Sequence, residues 1–176
     1  MTPDDDSRLL RAFQRRERPA FDALFARHAP GVFAFARHLT GSCEEAEEIV
    51  SETFSAAFVS APRYLGRSRL STWLLAIARR RVLDRVRQKR VPTERLLEDE
   101  KPLPSPHSTE SQALASVALQ AALARLDAPL KEAFLLVVGR GLTYREAAIV
   151  TKSPVGTVKW RIHEATRRLR IYLEEE

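Results

Sequence analysis

Hydrophobic positions recur at three- and four-residue steps over most of the chain, the period of helices that bury one face. Leu9, Leu10 and Phe13 form the apolar side of a first predicted helix, which Ser7 can cap and which runs to about Arg16. Ala20, Phe21, Leu24 and Phe25 mark a second. Pro30 and Gly31 then punctuate the chain, and Val32, Phe35, Ala36 and Leu39 carry a further helical stretch to a stop near Gly41. Ser42 followed by Glu45 fits a capping box, in which hydroxyl and carboxylate each satisfy a free backbone N–H. The helix it opens buries Ile49, Val50, Thr53, Phe54, Ala57 and Phe58 and ends at Pro62. After a loop from Pro62 to Arg69, positions Leu70, Trp73, Leu74, Ile77, Ala78, Val82 and Val86 predict a single apolar stripe. Ser71, Thr72, Arg79, Arg80, Asp84 and Arg87 fall on its opposite side.

Val91 to Gln112 is the stretch without apolar periodicity. It holds Pro92, Pro102, Pro104 and Pro106 among serines and charges, a density that removes helix donors and favours extended chain. Beyond it, Leu114, Val117, Leu119, Ala122, Leu123 and Leu126 build one helix. Asp127, with Pro129 behind it, restarts another that ends at Gly139 and Gly141. Thr143 with Glu146 is a second capping box, opening a short helix through Val150. Lys152 and Ser153 form a turn, and Ser153 is expected to cap a last helix with Pro154 in its first turn. In that helix Val155, Val158, Ile162, Ala165 and Leu169 fall on one side. Thr157, Trp160, His163, Glu164 and Arg167 project from the other, with Lys159 and Arg161 on the flanks. No alternating strand pattern of useful length occurs. The expected fold class is all-α: two small helical domains, residues 1–90 and 113–176, joined by a flexible linker at 91–112.

Charge changes the picture more than composition does. The chain has 176 residues and a net charge of +6, but residues 61–91 hold ten basic groups against one acid, Asp84. Such a block focuses a positive potential and points to a polyanion partner, although a basic stretch is also simply a well-solvated helix face. Arg80 and Arg87 stand two turns apart on one face, a geometry that suits phosphates running along the helix. Trp73 belongs either in the core, as its stripe position favours, or under an unpaired base as a stacking platform. The short helix, tight turn and long basic helix at the C-terminal end have the shape of a helix-turn-helix that reads a major groove. Plain helical hairpins share that rhythm, so the turn alone leaves both open.

Several classes are excluded. One Cys and six Gly leave no disulfide framework or Cys-rich zinc module. Apolar runs are short, so no membrane insertion is expected, and the acidic start is unlike a signal peptide, which points to the cytoplasm. The four His are scattered and there is no Gly-rich phosphate loop, so neither an enzyme nor a cofactor is expected. Cys43, beside Glu44 and Glu45, reads as a helix-start residue rather than a redox sensor.

Four segments in order resemble the extracytoplasmic-function (ECF) sigma factors of bacterial RNA polymerase. They are residues 45–54 (EAEEIVSETF), 64–79 (YLGRSRLSTWLLAIAR), 141–148 (GLTYREAA) and 154–163 (PVGTVKWRIH). The resemblance implies that residues 1–90 are sigma region 2, docking on the β′ clamp helices of core RNA polymerase and melting the −10 element. Residues 113–176 would be region 4, binding the β flap and reading the −35 element of promoter DNA. Glu45, Glu47, Glu48, Ser51 and Glu52 would then dock polymerase, on a surface distinct from the basic helix. Tyr64, Arg67, Ser71, Thr72, Trp73, Arg79, Arg80 and Arg87 would hold the melted −10 strand. Tyr144, Arg145, Thr157, Lys159, Trp160, Arg161, His163, Glu164 and Arg167 would meet the −35 duplex. An anti-sigma factor is the expected regulatory partner. Departures from the family pattern are Ser51 where Gln is usual, Arg80 for Asn, Lys152 near a usual Gly, Trp160 for Ser and Glu164 for Arg. Glu in place of Arg favours a cytosine amino group over guanine, so an unusual −35 preference is expected. The residues themselves also allow a standalone helix-turn-helix regulator that binds duplex DNA without polymerase.

Overall fold

The computed structural model describes residues 3–89 and 110–174, with side chains over 8–88 and 117–174. Among these residues the chain forms α-helices, turns and loops, without a strand. It divides into two compact units, built largely from α1–α4 and from α5–α8.

In the first unit, α1 (Pro3–Gln14) begins four residues before the expected Ser7 cap. Pro3 supplies the first position, where a missing N–H leaves nothing unsatisfied. The second helix, α2 (Arg18–Thr40), runs unbroken through Pro30, where the pattern predicted a break. Ala29, Gly31, Val32, Phe35 and Ala36 are all buried around it, so packing on both sides of the proline outweighs one lost backbone bond. Gly41 ends α2 as expected, in the left-handed region at φ 82°. Ser42 caps α3 (Cys43–Ser60), its Oγ accepting from the Glu45 N–H at 3.3 Å. The N–H of Ser42 donates to Thr40 Oγ1 at 3.3 Å, so the cap is shared with the preceding helix. A 3₁₀ turn at Ala61–Arg63 leads through a loop to α4 (Leu70–Lys89).

The core of this unit joins Phe13, Leu24, Val32, Phe35, Ile49 and Phe54 to Leu74, Leu75, Ala78 and Val82. Phe25 and Phe54 meet edge to face at 4.7 Å between ring centres. On α4 the single stripe is too narrow a description. Leu75 and Thr72 are buried, whereas Leu70, Trp73, Ile77 and Val86 are only half-buried. The reason is that α4 packs against both α2 and α3, so it buries a wider and rotated arc.

In the second unit, α5 (Glu110–Ala124) takes in the last three positions assigned to the linker. Residues 91–109 of that linker lie outside the described residues. Asp127 precedes α6 (Ala128–Phe134), which passes into a π-helical turn at Leu135–Gly139. Gly141 closes it at φ 67°, with its N–H on Val137 O and the Leu142 N–H on Leu136 O, both at 3.1 Å. This pair of bonds satisfies the last carbonyls and buries Leu136 and Leu142. The Thr143 cap is complete: Glu146 N–H donates to Thr143 Oγ1 at 3.2 Å, and Thr143 N–H donates to Glu146 Oε2 at 2.8 Å. It opens α7 (Tyr144–Thr151). Lys152 takes φ 51° in the turn to α8 (Val155–Glu174), a conformation that costs a non-glycine residue roughly 1–2 kcal/mol. Val158, Ile162, Ala165 and Leu169 are buried, as the spacing predicted.

Candidate nucleic-acid interface

The first candidate surface is built around the loop before α4. Tyr64 is buried, and its ring lies against Trp73 with centres 4.6 Å apart. Its phenol donates to the Ser68 carbonyl, closing the loop on itself, and burial pushes the phenol above its ordinary pKa. Gln14 Nε2 donates to the Tyr64 carbonyl at 2.8 Å, so α1 pins the loop from behind. Gly66 provides the left-handed turn at φ 68°. Arg67 is exposed at the loop tip, Ser71 and Arg79 are half-buried, and Arg80 and Arg87 are exposed along α4. Thr72 is the exception to the expected set. It is 0% exposed and faces the core, so in this conformation it can touch no strand; the widened buried arc of α4 takes it inward.

Trp73 occupies an intermediate place. One face is covered by Tyr64, while the residue also lines an open groove of about 780 Å³ between α3 and α4. Ser51, Glu52, Val59, Ile77 and Arg80 line the same groove. The residues expected to dock polymerase and those expected to hold DNA therefore share one boundary.

The acidic helix is also not separate from the basic one, as the sequence led us to expect. Arg85 donates to Glu48 and, at 2.7 Å, to Glu52, while Arg81 lies 3.6 Å from Glu52. Charge attraction across two packed helices is the cause, and the two carboxylates hold the Arg85 guanidinium above its ordinary pKa. Glu47 and Ser51 remain exposed on α3, and Glu45 is half-buried near the cap. Arg81 and Arg85 were not among the expected functional residues. The signal was present: Glu48 and Glu52, like Arg81 and Arg85, are four apart, so the two pairs match across antiparallel helices.

The second candidate surface is α7 with α8. Tyr144 and Arg145 are exposed at the start of α7, and Lys159 Nζ lies 6.0 Å from the centre of the Tyr144 ring. Trp160 is 61% exposed, a large apolar ring turned to solvent opposite the buried face. His163 is exposed beside it, and Thr157 is half-buried. Arg161 lies to the flank and donates to Ser153 Oγ at 3.1 Å, tying the turn to the helix. Glu164 and Arg167 form an ion pair at 2.8 Å, and Arg168 donates to the same carboxylate at 2.7 Å. Arg168 in turn holds Asp127 at 2.7 Å, which fastens α8 to the start of α6. Arg168 and Asp127 were missed because only the fold brings residues 41 apart together.

The chain is similar to known proteins over both units. The family Sigma-70 region 2 matches residues 24–91, and Sigma-70, region 4 matches residues 116–169. The ECF RNA polymerase sigma factor RpoE of Cereibacter sphaeroides is 34% identical over 173 residues, covering 94% of this chain and 93% of its own. SigE of Mycolicibacterium smegmatis is 33% identical over 160 residues, covering 88% of this chain, which spans 62% of that longer relative. Among solved structures, the sigma factor RpoE of Bartonella quintana, crystallised with the anti-sigma factor NepR, superposes with a TM-score of 0.76 at 25% identity. That match covers 88% of this chain and 96% of the other. CnrH, solved with the cytosolic domain of CnrY, shares the fold with a TM-score of 0.74 at 23% identity, over 97% and 98% of the two chains. With both sigma regions present in order and close relatives along nearly the full length, the chain belongs to the extracytoplasmic-function sigma factors of the sigma-70 family.

Proposed function

We propose that the protein is a promoter-specificity subunit, which binds core RNA polymerase and directs it to start transcription at a particular class of promoters. The single observation that carries this reading is the coexistence of a basic helix packed beside an acidic one in the first unit with a helix-turn-helix in the second. A duplex-binding regulator has use only for the last of these. No bond is made or broken; the work is strand capture, in which unpairing a base costs a few kcal/mol and stacking with phosphate contacts offsets it.

In this reading residues 1–90 dock on the β′ clamp through α3 and present the Tyr64–Ser71 loop, Trp73, Arg79, Arg80 and Arg87 to the melted −10 strand. Residues 113–176 bind the β flap and place α8 in the −35 major groove. Glu47 and Ser51, exposed on α3, are the docking contacts free of the ion pairs that α3 makes with α4. The site of action is the cytoplasm, where polymerase and promoters are. Among the described residues no helix is long and apolar enough to cross a membrane. An anti-sigma factor is the partner proposed by similarity to the relatives solved with one, and it would cover the docking surfaces.

The test is transcription by purified core polymerase over fragmented genomic DNA, with and without the protein. Discrete start sites that appear only with it establish the reading and deliver both promoter elements. Absence of both initiation and direct core binding would replace it with the standalone duplex-binding regulator.

A further inference from the structure

Helix α8 carries a carboxylate on its outer side, and each of its oxygens already accepts from an arginine. Glu164 Oε2 accepts from Arg167 Nε at 2.9 Å. Its Oε1 accepts from Arg167 Nη2 at 2.8 Å and from Arg168 Nε at 2.7 Å. Arg168 is braced from behind by Asp127 through Nη1, which keeps its Nε directed at the carboxylate. The Glu164 side chain is only 15% exposed, whereas that of Arg167 is 56% exposed. Arg167 and Trp160 are seven apart and stand opposite the buried Val158, Ile162, Ala165 and Leu169, on the side turned away from the core.

We infer that Glu164 determines specificity through Arg167: it withholds the Arg167 guanidinium from DNA, so that α8 engages a duplex only where its other contacts outweigh breaking this pair. The inference rests on the proposed role of α8 at the −35 element. Two charge-assisted hydrogen bonds hold Arg167 in a fork geometry, the same geometry it would offer a phosphate or a guanine. A cation held this way adds little to indiscriminate binding, because a phosphate must displace a carboxylate already in place. Glu164 is therefore a positioning residue. A cytosine amino group would have to compete for this carboxylate with three N–H donors that already converge on it.

A double-mutant cycle tests the inference. Holoenzyme is reconstituted from core polymerase and the full chain, and bound over a range of salt to a promoter fragment recovered by the transcription selection described above. Glu164→Gln should raise affinity and steepen the plot of log affinity against log salt by about 0.9, one additional phosphate contact. Arg167→Gln should change neither measurably in the wild-type background, yet cancel the whole gain in the Glu164→Gln background. An additive cycle, with Arg167→Gln weakening both backgrounds equally, overturns the inference. So does a changed base preference at one promoter position that persists when Arg167→Gln is added to Glu164→Gln, which would make Glu164 a direct reader. Thermal melting of each variant confirms folding. If Glu164→Gln fails to fold, Arg167→Gln alone decides, since a silent substitution supports a withheld cation and a weakening one overturns it. Wild-type holoenzyme without promoter selectivity would overturn the α8 reading itself, whereas an additive cycle with selectivity intact overturns only the role of Glu164.

Discussion

Two residues show how local chemistry sets stability here. Thr53 is fully buried in α3, and its hydroxyl has no hydrogen-bond partner in the structure. An unsatisfied buried hydroxyl costs on the order of 1–3 kcal/mol, and valine has the same branched shape without it. Thr53→Val should therefore raise stability by about 1 kcal/mol, seen as a higher urea midpoint with an unchanged slope. Glu164 acts through pH. The hydrogen bonds from Arg167, then Arg168, lower its carboxyl from an ordinary 4.5 to about 2. Its stabilising contribution is complete above the ordinary value and is lost as pH falls from 4.5 toward 2. Urea midpoints measured across that window should fall with decreasing pH, and Glu164→Gln should flatten part of the slope. An acid limb unchanged by the substitution would mean the ion pairs do not persist in solution.

Among elements, the loop before α4 depends on helices at either side of it. Gln14 on α1 donates to the Tyr64 carbonyl, and the Tyr64 ring lies tilted against Trp73 of α4. The loop is thus held from both sides, and in the proposed role such pre-ordering reduces the cost of binding a strand. Gln14→Leu removes the donor at similar size. It should weaken capture of a −10 single strand by holoenzyme by roughly five- to tenfold, the equivalent of one hydrogen bond, while leaving −35 duplex binding unchanged. Equal loss at both elements would show that the substitution disturbs the fold instead. The three- and four-residue periodicity made α3, α4, α7 and α8 legible in advance, and the Gly41 and Gly141 stops with the Ser42 and Thr143 caps were legible too. The same pattern misplaced Thr72 and the break at Pro30. Periodicity reports that a face is apolar, whereas the width of the buried arc depends on how many neighbours a helix has.

For the molecule as a whole, the charge segregation along the chain anticipates a division of labour. The +9 stretch at residues 61–91 lies mostly on α4 and its preceding loop, but part of it is neutralised internally by Glu48 and Glu52. Arg80 and Arg87 are exposed and should carry the strand contacts. Arg80→Ala and Arg87→Ala should each lessen the salt dependence of −10 strand binding by about 0.7, one phosphate on a single strand. Arg85→Ala, by contrast, should leave that slope unchanged and lower stability by about 1 kcal/mol, because both carboxylates it holds remain partly open to solvent. A slope change for Arg85→Ala would place it on the DNA path.

By itself, the sequence determined the all-α class, the Ser42 and Thr143 caps, the Gly41 and Gly141 stops, and the family, because each of these depends on neighbours within a few residues or on motifs that read linearly. Only the tertiary structure decided which cations are available. Arg85 with Glu48, Arg168 with Asp127, and Gln14 with Tyr64 are separated by 37, 41 and 50 residues. Coulomb attraction and hydrogen bonding act over a few ångströms of space, so a charge that looks free along the chain is committed or available only once packing has chosen its neighbours.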